Sequence, residues 1–253
     1  MPADNQALVR LLADPKLFMN VLRIVDEKGS AHQFNKPFFE QLAMLDALIN
    51  YPEVYAVKPR QVGFSTVTRA YNFWYGYTSL DPIAELVASH DADSTTKMHR
   101  MNGDFLEGLV NFDSRFERPL VASNRKELIF ADTKANFRCV TVGGRGAGKS
   151  FTFQRGHFTE VGSWEKACDP KATWASLRAT MHKGPHYQLV AESTGHGAKT
   201  FWKTLVYNAK RRASAGDPAV KVVFSKWSNH PLYVAPTPRD FERTDEEERL
   251  AAA

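Results

Sequence analysis

Apolar residues recur at helical spacing through residues 6–25, at Leu8, Leu11, Leu12, Phe18, Val21, Leu22 and Val25, and Asp14-Pro15 divides that stretch into two short helices. A third helix is expected over 38–48, stopped by Asn50-Tyr51-Pro52 before the apolar run 54–57. The same alternation of helix and unbroken apolar run continues: helix 66–77, strand 83–88, helix 94–110. Strand-like spacing follows at 127–130 and 137–142 around a turn at Asp132-Thr133-Lys134-Ala135, and resumes over 151–158. Residues 169–181 read as helix, 187–191 as strand, 199–212 as a basic amphipathic helix and 220–224 as strand. Strands that alternate with helices predict an α/β fold around a mostly parallel sheet. Beyond residue 239 apolar density falls, and Asp245-Glu246-Glu247-Glu248 reads as a solvated helix start.

Composition narrows the function classes. With 253 residues and 43% hydrophobic positions the chain can bury one large core, which excludes a fibrous or wholly disordered protein. Thirty-three Lys and Arg against 28 Asp and Glu leave a net charge of +5, compatible with a polyanionic partner. The two cysteines, Cys139 and Cys168, form no CxxC pair and suggest neither a disulfide scaffold nor a zinc knuckle. No apolar run approaches the roughly 18 residues of a membrane span, and the start of the chain lacks a signal-peptide pattern. A soluble, intracellular protein without a membrane partner is expected.

Two segments compete as phosphate loops. Gly143-Gly144-Arg145-Gly146-Ala147-Gly148-Lys149-Ser150 matches the G-x-x-x-x-G-K-S/T pattern letter for letter. Such a loop works because a helix N-terminus follows it and adds its dipole to the anion site. The residues that follow, Phe151-Thr152-Phe153-Gln154-Arg155-Gly156, are too aromatic and too soon broken by glycine for that helix. We therefore read the segment as a basic, glycine-rich loop. Lys58-Pro59-Arg60-Gln61-Val62-Gly63-Phe64-Ser65-Thr66 spells the pattern poorly, with Phe64 where the lysine would stand, yet it lies between a strand and a helix. There Gly63 permits close approach of a phosphate, the Ser65 hydroxyl is placed to ligate magnesium, and Lys58 and Arg60 flank the turn. Alone, the segment also reads as an ordinary strand-to-helix turn.

Further motifs follow in order. Phe34-Asn35-Lys36-Pro37-Phe38-Phe39-Glu40-Gln41 precedes the loop; Gly156-His157-Phe158-Thr159-Glu160-Val161-Gly162-Ser163-Trp164, Glu192-Ser193-Thr194-Gly195-His196-Gly197 and Val223-Phe224-Ser225-Lys226-Trp227-Ser228-Asn229-His230-Pro231-Leu232-Tyr233 come after it. Together they resemble the ATPase domain of large terminase subunits, the bacteriophage and viral motors that package DNA, over almost the whole chain. The resemblance implies a RecA-like (ASCE) P-loop NTPase fold. The ATPase domain would span 1–238, with N-terminal helices and an adenine-binding segment in 1–52 and a nucleotide-binding core in 53–238; 239–253 would begin a linker toward a nuclease domain. It makes Gln41 the adenine-reading glutamine, Lys58 to Thr66 a deviant Walker A, Glu160 the catalytic carboxylate of Walker B, and Thr194 the centre of the coupling motif. ATP and Mg²⁺ are the implied cofactors. Double-stranded DNA, a portal protein, a small terminase subunit and a homo-oligomeric ring are the implied partners, in the host cytoplasm.

One position departs from the family pattern: Thr159 stands where an aspartate usually precedes the catalytic glutamate, so magnesium is expected to lean on Ser65, Thr159 and the phosphates. Hydrolysis needs the γ-phosphate positioned, its charge neutralised and a water aligned, so Glu160 is assigned the water and Lys58 and Arg60 the phosphates. The planar fork of Arg60 makes it a candidate finger in cis. The family also uses a finger from a neighbouring subunit, for which Arg145, between glycines, is the candidate and Arg155 the runner-up; both also read as surface arginines. Thr194 also reads as a helix cap, and Lys199, Lys203, Lys210, Arg211 and Arg212 as either a DNA-tracking face or a solvated one. Two other functions stay open. A helicase-like translocase would need a second lobe, for which little sequence follows residue 233, and a non-catalytic DNA-binding module would turn over no ATP.

Overall fold

The apolar runs at 54–57, 83–88, 187–191 and 220–224 all become strands of one sheet. The structure, a computed structural model, describes residues 4–26, 28–124, 126–144, 151–230, 233 and 242–251. In chain order the helices are α1 (Asn5–Ala13), α2 (Pro15–Met19), α3 (Phe39–Asn50), α4 (Phe64–Thr78), α5 (Ala92–Phe112), α6 (Pro170–Ala179), α7 (Phe201–Ser214) and α8 (Asp245–Ala251). The strands are β1 (Arg23–Val25), β2 (Ala31–Gln33), β3 (Glu53–Val57), β4 (Ala84–Ser89), β5 (Leu120–Ser123), β6 (Glu127–Phe130), β7 (Asn136–Thr141), β8 (Arg155–Thr159), β9 (Gln188–Ser193) and β10 (Val220–Phe224).

Among the described residues, the main sheet runs in the order β10, β3, β9, β8, β4, β7, β6, β5. Pairing is parallel from β10 to β7 and antiparallel where β6 and β5 join the edge. The central strands lack alternation because both faces are covered. Helices α1 to α5 pack one face through Phe18, Met44, Phe73 and Phe105; α6, α7 and the 3₁₀ turn Val161–Lys166 pack the other through Trp174, Leu177, Trp202 and Trp164. Each such side chain contributes roughly 1.5–3 kcal/mol by leaving water.

Helix starts follow the capping chemistry of the sequence. Asp14, Asp91, Asp169 and Thr200 each accept a backbone N–H at the head of α2, α5, α6 and α7. A buried polar seam joins α4 to the sheet: Arg69 pairs with Glu85, Asn72 Nδ2 donates to Glu85 Oε1 at 2.6 Å, and Arg155 Nε donates to Asn72 Oδ1 at 2.9 Å.

Three local expectations are corrected. The helical pattern expected to run to residue 25 ends earlier, because Asp26 Oδ1 accepts the N–H groups of Lys28 and Ser30 at 2.9 and 2.8 Å and folds β1 back onto β2. Strand β5 was not expected: its residues are mostly exposed and its pairing with β6 is irregular, so no alternation marks it. The run 151–158 is strand only from Arg155, since Phe153 instead sinks into the core and bridges to Met181.

Candidate active site

Strand β3 delivers the chain into a six-residue turn before α4. Lys58 N–H still donates to the Ser193 carbonyl at 3.1 Å, extending the pairing with β9, and then Gln61 (φ 59°) and Gly63 (φ 74°) adopt left-handed conformations that bring the chain round to Phe64. Gly63 is required twice over: its φ suits glycine, and a Cβ there would lie 2.0 Å from Gln41 Nε2. No side chain caps α4 and its first turn carries no acidic residue. The N–H groups of a 15-residue helix therefore face the turn, with the positive end of the helix dipole behind them.

The charged residues of the site meet at the carboxyl ends of the strands. Lys58 Nζ lies 3.0 Å from Glu160 Oε1, at the end of β8, and 3.0 Å from Glu192 Oε2, on β9. Glu192 is wholly buried; its Oε1 accepts from Ser65 Oγ at 2.6 Å and from Thr159 Oγ1 at 2.7 Å, and lies 3.3 Å from His157 Nε2. Burial alone would push the Glu192 carboxyl up, but the Lys58 ammonium and the hydrogen bonds from His157 and Ser65 hold it well below the usual carboxylate range. Burial likewise works against the Lys58 charge, and Glu192 and Glu160 outweigh it and hold the ammonium above the ordinary lysine value.

A second set of contacts ties Glu160 to the segment after β9. Glu160 is itself left-handed (φ 50°) and opens the turn Val161–Lys166. Ser193 Oγ accepts the Gly162 N–H at 3.1 Å and donates to Glu160 Oε2 at 3.4 Å. Thr194 Oγ1 lies 3.1 Å from His196 Nε2, and the His196 ring packs on Gly162 so closely that a Cβ there would sit 2.3 Å away. Beside the turn, Phe38, Phe39, Ala43, Phe64, Val223 and Phe224 line a largely apolar cleft of about 540 Å³.

Among solved structures, the crystal structure of the HK97 bacteriophage large terminase matches with a TM-score of 0.59. The match covers 96% of this chain and 47% of that one, at 14% sequence identity. The chain spans about half the length of that large terminase and has the fold of the matched part. No family model matches it, and no curated protein does.

Within this terminase-like fold the sequence-chosen residues divide. Lys58, Ser65, Thr159 and Glu160 converge as a single cluster. Gln41 abuts the turn, but its Oε1 accepts the Phe38 N–H at 2.9 Å and its nitrogen faces Gly63. Arg60 is exposed on the rim, while Thr194 faces His196 and Ser193 links the Glu160 turn to β9. Arg145 and Lys149 lie outside the described residues. Arg155 is corrected: it is 3% exposed at the opposite end of β8 from Thr159, hydrogen-bonded to Asn72 and Gln188 and stacked 4.0 Å over Tyr75, so it has no reach to a neighbouring subunit. The rejected segment 143–150 is followed by no helix, since residues 151–154 run into β8. Arg212 of the basic stretch is committed to Glu53 and Asp217. Reading the sequence placed Glu192, Ser193 and His196 in the segment resembling the coupling motif and His157 in the one resembling Walker B, but gave none of them a role in the site. The signal for Glu192 was a carboxylate straight after the buried run Leu189-Val190-Ala191, a place where strands end at sites.

Proposed function

We propose that this chain is the ATP-hydrolysing motor part of a viral large terminase, which drives double-stranded DNA into a procapsid. The observation that carries the reading is the convergence of Lys58 and Glu160 beside the uncapped N-terminus of α4, at the carboxyl ends of a parallel sheet. The turn from Lys58 to Thr66 receives the phosphates on its backbone N–H groups, Lys58 contacts them, and exposed Arg60 lies at the rim to approach the γ-phosphate. Glu160 holds the attacking water and takes up its proton. The largely apolar cleft beside Phe64 and Phe224, which Glu40, Ser225 and Lys226 also line, suits a base, its volume falling in the range of small-ligand sites.

The donors around Ser65 and Thr159 are hard oxygens gathered within 2.7 Å of one carboxylate, which fits magnesium. Among the described residues no three His, Cys, Asp or Glu side chains form a metal site on their own, so in this reading the phosphates would supply the remaining ligands. Bound there, the ion would draw charge off the phosphate oxygens. Lys58 also pairs with Glu160; phosphates that take up the ammonium would leave Glu160 free to accept a proton.

The packaging role rests on the likeness in fold, and it brings the portal protein, the small subunit and a ring of copies as partners. Arg145 remains the candidate for a finger donated across the ring, so the isolated chain should hydrolyse ATP slowly. The test is steady-state ATP turnover with magnesium, for wild type and Glu160→Gln. Turnover should vanish in the variant while nucleotide binding persists; a variant that turns over at the wild-type rate, or a wild type that binds no ATP, would overturn the reading.

A further inference from the structure

We infer that Glu192, on β9, supplies the carboxylate that the magnesium site lacks on β8; the inference rests on the ATPase reading above. The sheet register brings Glu192 to this place. It pairs with Thr159 of β8 on one side and with Ala56 of β3, two residues before Lys58, on the other. Because β9 lies between the strand that leads into the phosphate turn and the strand that ends in Glu160, its end is flanked by both halves of the site.

At that point three oxygens meet. Ser65 and Thr159 both direct their hydroxyls at Glu192 Oε1, at 2.6 and 2.7 Å. Glu160 makes neither contact; its carboxylate turns instead to Lys58 and Ser193. The Ser65 hydroxyl is the group expected to face magnesium, so the carboxylate beside it, and not Glu160, stands next to the ion's place.

Charge balance leads to the same conclusion. A wholly buried carboxylate is costly to keep ionised unless it is paired, and Lys58 is shared between Glu192 and Glu160. One ammonium facing two carboxylates leaves one negative charge uncompensated. When Lys58 turns to the phosphates, Glu192 keeps the His157 ring at 3.3 Å and its two hydroxyl donors but loses the ammonium, and a divalent cation restores the balance. Thr159 can then be a hydroxyl because the charge usually carried on its strand sits on the neighbouring one.

The experiment titrates magnesium into protein holding a fluorescent ADP analogue, and follows Mn²⁺ by electron paramagnetic resonance as a second readout that needs no turnover. For Glu192→Gln the magnesium midpoint should rise by about 10–100-fold, the scale set by loss of groups that support a metal, while affinity for the nucleotide in EDTA is kept. Adding Thr159→Asp to that variant should bring the midpoint back toward wild type. An unchanged midpoint in Glu192→Gln would overturn the inference. So would an equal loss of affinity with and without magnesium that Thr159→Asp fails to rescue, because Glu192 would then serve only as the counter-ion of Lys58. If Glu192→Gln does not fold, Glu192→Asp keeps the charge but shortens its reach, and it should raise the midpoint less; no rise overturns the inference. A wild type whose nucleotide binding ignores magnesium would overturn the ATPase reading itself.

Discussion

Lys58 and Glu160 are 102 residues apart in sequence and 3.0 Å apart in space, Nζ to Oε1. A carboxylate proposed to hold a water and a cation proposed to meet phosphate thus lie in direct contact.

Lys58→Ala should weaken binding of a fluorescent nucleotide by about tenfold or more, the loss expected for one charge-assisted contact to phosphate. Lys149→Ala, in the segment that spells a phosphate loop but has no helix after it, should leave affinity within about twofold of wild type, the scale of a charge that makes no contact with the phosphates. Parallel titrations decide; loss of binding in Lys149→Ala alone would move the phosphate site.

Gly63→Ala should lower both stability and nucleotide affinity. Alanine at φ 74° is strained by about 1 kcal/mol, and its Cβ also overlaps Gln41 Nε2. The double variant Gly63→Ala/Gln41→Ala removes the overlap and keeps the strain, so thermal unfolding should show partial recovery. Recovery to wild type, or none, would separate the two causes.

Arg155→Ala should destabilise the fold by roughly 2–3 kcal/mol or more, since it strips donors from Asn72 and Gln188 in a buried seam. Denaturant unfolding would measure it. A variant of wild-type stability whose assembled motors lose ATP turnover would restore Arg155 as a finger.

Acid should weaken the nucleotide-free protein partly through Glu192. Its carboxyl titrates lower in the folded chain than in the unfolded one, so the unfolded chain binds more protons as pH falls through the ordinary carboxylate value of 4.5. Stability therefore rises with pH across that interval and is lost below it. Between about pH 7 and pH 4 the melting temperature of wild type should fall more steeply than that of Glu192→Gln. Parallel slopes would show that Glu192 is not held ionised by its partners.

Much of the fold could be read along the chain. Asp14-Pro15, Asp91, Asp169-Pro170 and Thr200 mark helix starts through side chains that accept nearby N–H groups, a strictly local interaction. Strands such as Val220–Phe224 stood out as short β-branched runs. The exposed, irregular β5 and the hairpin of β1 and β2 escaped, because in them pairing and the Asp26 turn outweigh periodicity.

By itself the sequence determined the α/β class and the positions of the buried strands β3, β4, β9 and β10, since each depends on contacts within a few residues. Tertiary structure alone decided that β9 separates β3 from β8. From that order follow the placement of Glu192 under Ser65 and Thr159, the sharing of Lys58 between two carboxylates and the withdrawal of Arg155 into the core. Strand order is set by how the apolar faces of distant segments pack together, and no spacing along the chain records it.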